Sequence, residues 1–448
     1  MRRALDARLQ GAGISLFFLF GACVFPVSAL PGPLLDKARG YDAFYAEHHR
    51  PGRGGAVTVD FTDANYTEAA RYQGQGDSTV HTGAYLAAES FRYAATGEAE
   101  ALANAKTAAH ALHHHLQITG KKGYLARYAG PFDRGEFRFY PRAKCRGRPG
   151  YCHKVKQGDY QGDFWMGNTS RDQYDGWFYG YAVAYELVAD PELRAMIRDD
   201  VREVIEKFHR TRFNVIDVNH LPTAGGLAFY LPNFRMSWSL AAAVILDEEV
   251  YWRRYENEFN RGFPLLKSQM GGARFNKYND YFAFMFYHRD GYLLGRLDPS
   301  PERRQKFLEA FAEQIRPLVA GTDNAFFDWT YLALSGAADP ETLAAGREAL
   351  TRFPEAPRAD RCPLPAPDYE VDRCSRLLAR VPFLFNVEAS AKAPFPIQYR
   401  CPEDFLWQRS PYQICRCQED QPAHVFPGID YLLAYWMGRY HGYLSEND

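Results

Sequence analysis

The sequence lacks most of the signatures that name a biochemical class outright. Its 448 residues carry no P-loop, no dinucleotide fingerprint and no GxSxG elbow, so nucleotide binding, hydride transfer and a serine nucleophile have no support. Excess charge is missing as well. Lys+Arg 53 against Asp+Glu 54 gives a formal net charge of −1, and with no RNP motif or zinc-finger spacing a nucleic-acid partner is not expected. Long apolar runs are absent: the leading one, Ile14 to Ala22 (ISLFFLFGA), is too short to span a bilayer, so no membrane span is expected. Strand-like alternation is scarce, and no run of it is long enough to compete with helix, which leaves room only for short strands in the loops.

What is present starts with a leader. Arg2, Arg3 and Arg8, the apolar run and the small residues of Val27-Ser28-Ala29 read as a cleaved signal peptide over 1–29, hence a secreted or periplasmic protein. A lipobox ending at Cys23 (LFGAC) is the alternative and would add a lipid anchor; Phe20 stands where Leu is usual. Residues 30–448 read as a single domain. Their seven cysteines, Cys145, Cys152, Cys362, Cys374, Cys401, Cys415 and Cys417, all lie in loop-like Pro- or Arg-rich sequence. In an oxidising compartment that placement predicts disulfides, with Cys145–Cys152, Cys362–Cys374 and Cys401 with Cys415 or Cys417 as nearest pairs. A zinc site on Cys145, Cys152 and His153 lacks a remaining ligand set, and no metal or other cofactor is expected.

A junction recurs along the chain: a small-residue-rich apolar segment, a short acidic or Pro turn, then a charged amphipathic segment. It occurs at ATGEAEAL (Ala95 to Leu102), VADPELRA (Val188 to Ala195), RLDPSPERR (Arg296 to Arg304) and GAADPETLA (Gly336 to Ala344), and more loosely at ILDEEVYWRR (Ile245 to Arg254). Asp as cap and Pro at the first position are helix-start chemistry. After the turn, Leu193, Met196, Ile197, Val201, Val204, Ile205 and Phe208 keep helical spacing between charges, as in a helix wet on one side. Before it, Trp177 to Val188 is apolar nearly all round, as are Thr82 to Ala95, Met236 to Leu246, Tyr281 to Tyr287, Phe326 to Leu334 and Ile429 to Leu444. Inner and outer helices alternating in this way predict an all-α fold, an (α/α)-toroid of five to six helical hairpins, because one hairpin cannot bury its inner face alone. Long loops interrupt it at Gly120 to Ser170, Phe213 to Pro232 and Phe353 to Pro427. An open solenoid is the structural alternative.

Each inner helix opens with polar residues, and in an alternating ring these starts converge on one mouth. Helix N-termini there favour anionic or hydroxyl-rich ligands. Ser78, Thr79, Ser170 and Asp323 have the chemistry of N-caps. Asp77 and Asp172 suit first-turn acids, but as a pair they also suit acid/base work on a glycosidic bond. A set of His81, Tyr174 and Arg171 would instead serve β-elimination from a uronic acid. Arg171, Gln173, Tyr174 and Asp175 in SRDQYDG exceed what capping needs, which makes this cluster the strongest site candidate. Asn279 and Asp280 at the fourth inner helix, and Trp407 and Arg409 in DFLWQRSPY, are candidates for lining the mouth. His113, His114 and His115 read as surface or loop-packing residues.

GDSTVHTGAYLAAESFRYAATGE and TSRDQYDGWFYGYAVAYELVADPE resemble the inner-helix pattern of six-hairpin glycosidases and α/α-toroid polysaccharide lyases. In unsaturated glucuronyl hydrolases two inner helices each present a catalytic Asp, and the resemblance implies Asp77 and Asp172 as counterparts. It spans about 120 residues, and RDQYDG departs from those enzymes. A terpene-cyclase-like toroid is disfavoured, since no DDxxD motif occurs. The whole chain also resembles secreted bacterial proteins of unassigned function. The expectation is an exported carbohydrate-active enzyme, glycoside hydrolase or polysaccharide lyase, acting on an acidic or complex glycan. A non-catalytic glycan-binding or cell-envelope scaffold protein is the rival.

Overall fold

The structure is a computed structural model that describes residues 32–133, 138–139, 145, 151–273, 281–337, 339–361, 368–380, 388–415 and 421–448. The leader with Cys23, and Asn279, Asp280, Cys362 and Cys417, lie outside the described residues. Twelve helices of eight residues or more are described: α1 (Pro33–Phe44), α2 (Ser78–Thr96), α3 (Ala99–Gln117), α4 (Arg171–Leu187), α5 (Pro191–Thr211), α6 (Pro232–Leu246), α7 (Glu249–Gly272), α8 (Phe282–Leu297), α9 (Pro301–Gln314), α10 (Ala325–Ser335), α11 (Pro340–Arg352) and α12 (Ile429–Tyr440).

The recurring junction does what its chemistry predicts. Asp190, Ser300 and Asp339 accept from the backbone N–H of Leu193, Arg303 and Glu341, with Pro next in line each time. At RLDPSPERR the cap is Ser300, and Asp298 instead pairs with Arg303. Across each junction the pattern switches. Every residue of α4 from Gln173 to Ala184 is buried, whereas α5 buries Leu193, Ile197, Asp200, Val201, Val204, Ile205 and Phe208 and keeps its other faces wetter.

The even-numbered helices pack on one another in the order α2, α4, α6, α8, α10, α12 and back to α2, each with its following odd-numbered helix against it. The helix that pairs with α12 is not the next one in sequence. It is α1, which lies against α12 and α11, tied by Tyr431 Oη donating to the Leu34 carbonyl at 2.9 Å. One hydrophobic cluster runs through these elements from Leu34 to Leu444.

The all-α expectation needs correcting. Among the described residues the loops carry nine short strands: β1 (Thr58–Phe61), β2 (Ala69–Gln73), β3 (Tyr128–Pro131), β4 (Cys152–Lys154), β5 (Asp163–Met166), β6 (Asn214–Ile216), β7 (Pro222–Leu227), β8 (Arg358–Asp360) and β9 (Gln421–Phe426). They pair antiparallel in a sheet ordered β2-β1-β9-β8, another ordered β3-β5-β4, and the hairpin β6-β7. Runs of three to six residues are too short to declare alternation in sequence; their backbone groups are satisfied by pairing within a loop and, for β1 with β9, between loops. The strands also have a location. β2, β5, β7 and β9 each lead within a few residues into the N-terminus of an even-numbered helix. No helix among the described residues is long and apolar enough to cross a membrane.

Candidate functional site

Two of these strand-to-helix passages hold the paired acids. Asp77 stands immediately before α2, and Asp172 is the second residue of α4. The helices carrying them come unusually close because glycines face each other where they touch. A Cβ on Gly83 would lie 2.0 Å from the Gly176 carbonyl oxygen, one on Gly176 2.6 Å from Val80 Cα, and one on Gly180 2.4 Å from the Gly83 oxygen. Only glycine permits backbone against backbone at that range.

Gln173 then ties the two acids together. Its Nε2 donates to Asp77 Oδ1 at 3.2 Å and to Asp172 Oδ2 at 3.0 Å, while its Oε1 accepts from the Val80 N–H at 3.1 Å. The two acidic oxygens are therefore no farther apart than those two contacts laid end to end. Asp77 keeps 44% of its side-chain surface yet is held above the usual carboxylate range. Burial by surrounding atoms is the main cause, opposed by His81 and Arg127 and reinforced by Asp172 and Asp404. Asp77 is thus part exposed, with Arg127, His81, Asp172 and Asp404 as its charged or titratable neighbours.

These neighbours are held in turn. Arg127 brings Nη1 to 3.7 Å from Asp77 Oδ1 and is fixed by the carbonyls of Gly76 and Asn168 and by Ser170 Oγ. Ser170 thus receives a guanidinium and caps nothing. His81, one turn into α2 and 6% exposed, stacks on Phe405 with ring centres 5.9 Å apart. Asp404 is held by the Thr58 hydroxyl at 2.5 Å. Arg171 stays beside Asp172, its Nη1 donating at 3.3 Å to the carbonyls of Gly225 and Leu227 in the β6–β7 hairpin.

Other expected site residues are elsewhere. Tyr174 is buried, its hydroxyl taking the Leu125 N–H at 2.9 Å and donating to the Gly123 carbonyl, so it faces away from His81 and the elimination set is not assembled. Asp175 is 2% exposed and points inward at Arg289 and Asp290. Trp407 belongs to the core, with Nε1 on the Asp430 carbonyl at 2.6 Å, and Arg409 pairs with Glu403 and Gln413 instead of facing the acids. The polar starts of α10 and α12 are spent on packing. Asp328 pairs with Arg316 at 2.6 Å, Asp430 with Arg358 at 2.9 Å, and Asp323 takes Arg352 and the Ile397 N–H. His114 and His115 are buried loop-packing residues; His115 Nδ1 meets Thr79 Oγ1 at 2.7 Å.

Arg127, Asp404, Phe405 and Arg289 were not foreseen. Asp404 and Phe405 belong to the DFLWQRSPY segment, in which the tryptophan and arginine are the residue types that mark a mouth. Arg127 sits in a loop with no pattern. The Cys145–Cys152 disulfide forms as expected. Cys401 and Cys415 bring their thiols within hydrogen-bonding reach of each other, and Cys374 is exposed. Among the described residues no group of three or more His, Cys, Asp or Glu is disposed to hold a metal ion.

No protein-family model and no curated protein sequence matches this chain. The chemistry of the site is therefore read from its geometry alone.

Proposed function

We propose that the chain is an exported glycoside hydrolase built as an (α/α)-toroid, with Asp77 as general acid and Asp172 as the second carboxylate. The observation that carries this reading is the single Gln173 Nε2 shared by both acids. It supports a carboxylate pair inside the range of about 5–10 Å that glycosidic cleavage uses. The environment of Asp77 also has the sense required of the acid. Asp77, pushed up by burial and by the neighbouring acid, suits a proton donor to the leaving oxygen. Asp172 then serves as base or nucleophile on the opposite side of the sugar. Arg171 and Arg127 at the rim accommodate an acidic residue of the glycan. The closed order of even-numbered helices supports the toroid, and the Cys145–Cys152 bridge supports an oxidising compartment. Lyase chemistry is less favoured, because Tyr174 is turned into the protein.

Purified protein offered neutral and uronic-acid oligosaccharides decides the matter. New reducing ends without absorbance at the unsaturated-uronate band are expected. A rise in that band would make the protein a lyase. No cleavage, with glycan binding retained, would favour the scaffold reading.

A further inference from the structure

Beneath the Asp77–Asp172 pair lies a second polar group that this scheme does not use. Arg289, in α8, is fully buried, and none of its three guanidinium nitrogens makes a hydrogen bond. Asp175, one turn along α4 from Asp172, holds its Oδ2 at 3.6 Å from Arg289 Nη1, and that oxygen also makes no hydrogen bond. The Tyr179 hydroxyl is equally unengaged, its ring centre 5.9 Å from the guanidinium carbon. Asp290 behind them is satisfied by Asn233 and Ser237. Between this group and the acids stands Phe405, stacked on His81 on one side and 5.1 Å from the Arg289 guanidinium carbon on the other.

Buried donors left unmet by protein are met by something else, since an unmet one carries its full desolvation penalty, greater still when charged. The character of the unmet groups limits what that is. Asp175 lies 3.6 Å from Arg289, close enough for the two charges to offset one another. An added carboxylate or phosphate would satisfy the guanidinium and confront Asp175; an ammonium would do the reverse. A group that accepts and donates without charge satisfies both.

We propose that Arg289, Asp175 and Tyr179 form an inner subsite that binds adjacent hydroxyl groups of an uncharged sugar ring, reached when the Phe405 ring swings aside. This rests on the carbohydrate reading above and narrows it: the sugar held deepest is neutral, and any acidic residue lies outside, toward Arg171 and Arg127.

Calorimetric titration of the purified protein with the methyl glycosides of glucose, galactose, mannose and N-acetylglucosamine, and with glucuronate, tests it. At least one neutral glycoside binds, Arg289→Lys weakens it about tenfold or more, and Tyr179→Phe weakens it by about threefold. Binding of glucuronate alone, neutral binding that neither variant alters, or binding of none of the five overturns the proposal. Should Arg289→Lys fail to fold by circular dichroism, Tyr179→Phe, which deletes a single buried oxygen, carries the test. Arg289-dependent binding without glycan cleavage would remove the hydrolase and leave the subsite; cleavage with Arg289-independent binding would do the opposite.

Discussion

Alanine at Gly83 should destabilise the protein, although residue preference alone says the contrary. Gly83 lies inside α2, where replacing glycine by alanine ordinarily favours the helix by about 1 kcal/mol. Here the added methyl would stand 2.0 Å from the Gly176 carbonyl oxygen and 2.5 Å from its carbon. Those are backbone atoms of α4 and cannot rotate away, so the helices must separate by on the order of 1 Å to restore ordinary contact. Overpacking of this kind costs about 1–3 kcal/mol beyond the gain in helix preference, a melting point lower by several degrees. Gly272, at the end of α7 where a Cβ would meet nothing within 4 Å, is the control: its alanine variant should match or slightly exceed the unmodified protein. Thermal denaturation of the three proteins compares them directly. Gly83→Ala melting at or above the unmodified protein would refute the claim that this contact sets the spacing of α2 and α4, and with it that of Asp77 and Asp172.

Three further outcomes are expected. In urea unfolding, the buried histidines should draw stability down as pH drops from about 6.5 toward 4. Burial holds His49, His114, His115 and His288 near 3 and His209 and His441 near 4, so the unfolded chain takes up protons that the native state refuses. Asp42, Asp290 and Asp328, raised to about 6 by burial, and Asp77, Glu89, Asp175, Glu186 and Asp430, raised chiefly by burial as well, act in the opposite sense, so the histidine share is read by difference. Between the two pH values His288→Phe should lose less stability, or gain more, than the unmodified protein, and an identical change in both would contradict this. Cys145→Ser should cost about 2–3 kcal/mol by the same unfolding assay, since it opens a short covalent loop, and no change would deny the bridge a structural role. If Asp77 and Asp172 are as near as their common bond to Gln173 requires, hydrolysis should retain anomeric configuration, which proton NMR of the first-formed product reads; inversion would place a water between them.

The helices were legible because they are written twice, in the Asp-Pro junctions and in the change from all-round to one-sided apolarity. The pairing of α1 with α12 was not, since nothing local links residues 33–44 to residues almost four hundred positions later. The strands could not be placed individually for a related reason: three-residue strands such as β8 hold together through partners elsewhere in the chain, here β9. At the site, Asp77, Asp172, Gln173 and His81 were visible as polar residues at the start of apolar helices. Tyr174 looked the same in sequence, but its place on α4 turns it toward the Gly123–Leu125 loop. Asp175, one turn past Asp172, is likewise carried inward by helical geometry. Proximity in sequence gave the right helix and could not give the right face.

The central claim is that Asp77 and Asp172 perform chemistry on a glycan. Its most direct measurement is the turnover of a cleaved oligosaccharide by the unmodified protein, by Asp77→Asn and by Asp172→Asn, with melting points and binding of the same oligosaccharide recorded alongside. The account predicts a loss of at least about 100-fold for each variant, with folding and binding intact. Turnover undiminished in either variant, or absent from the unmodified protein on every glycan, would contradict it.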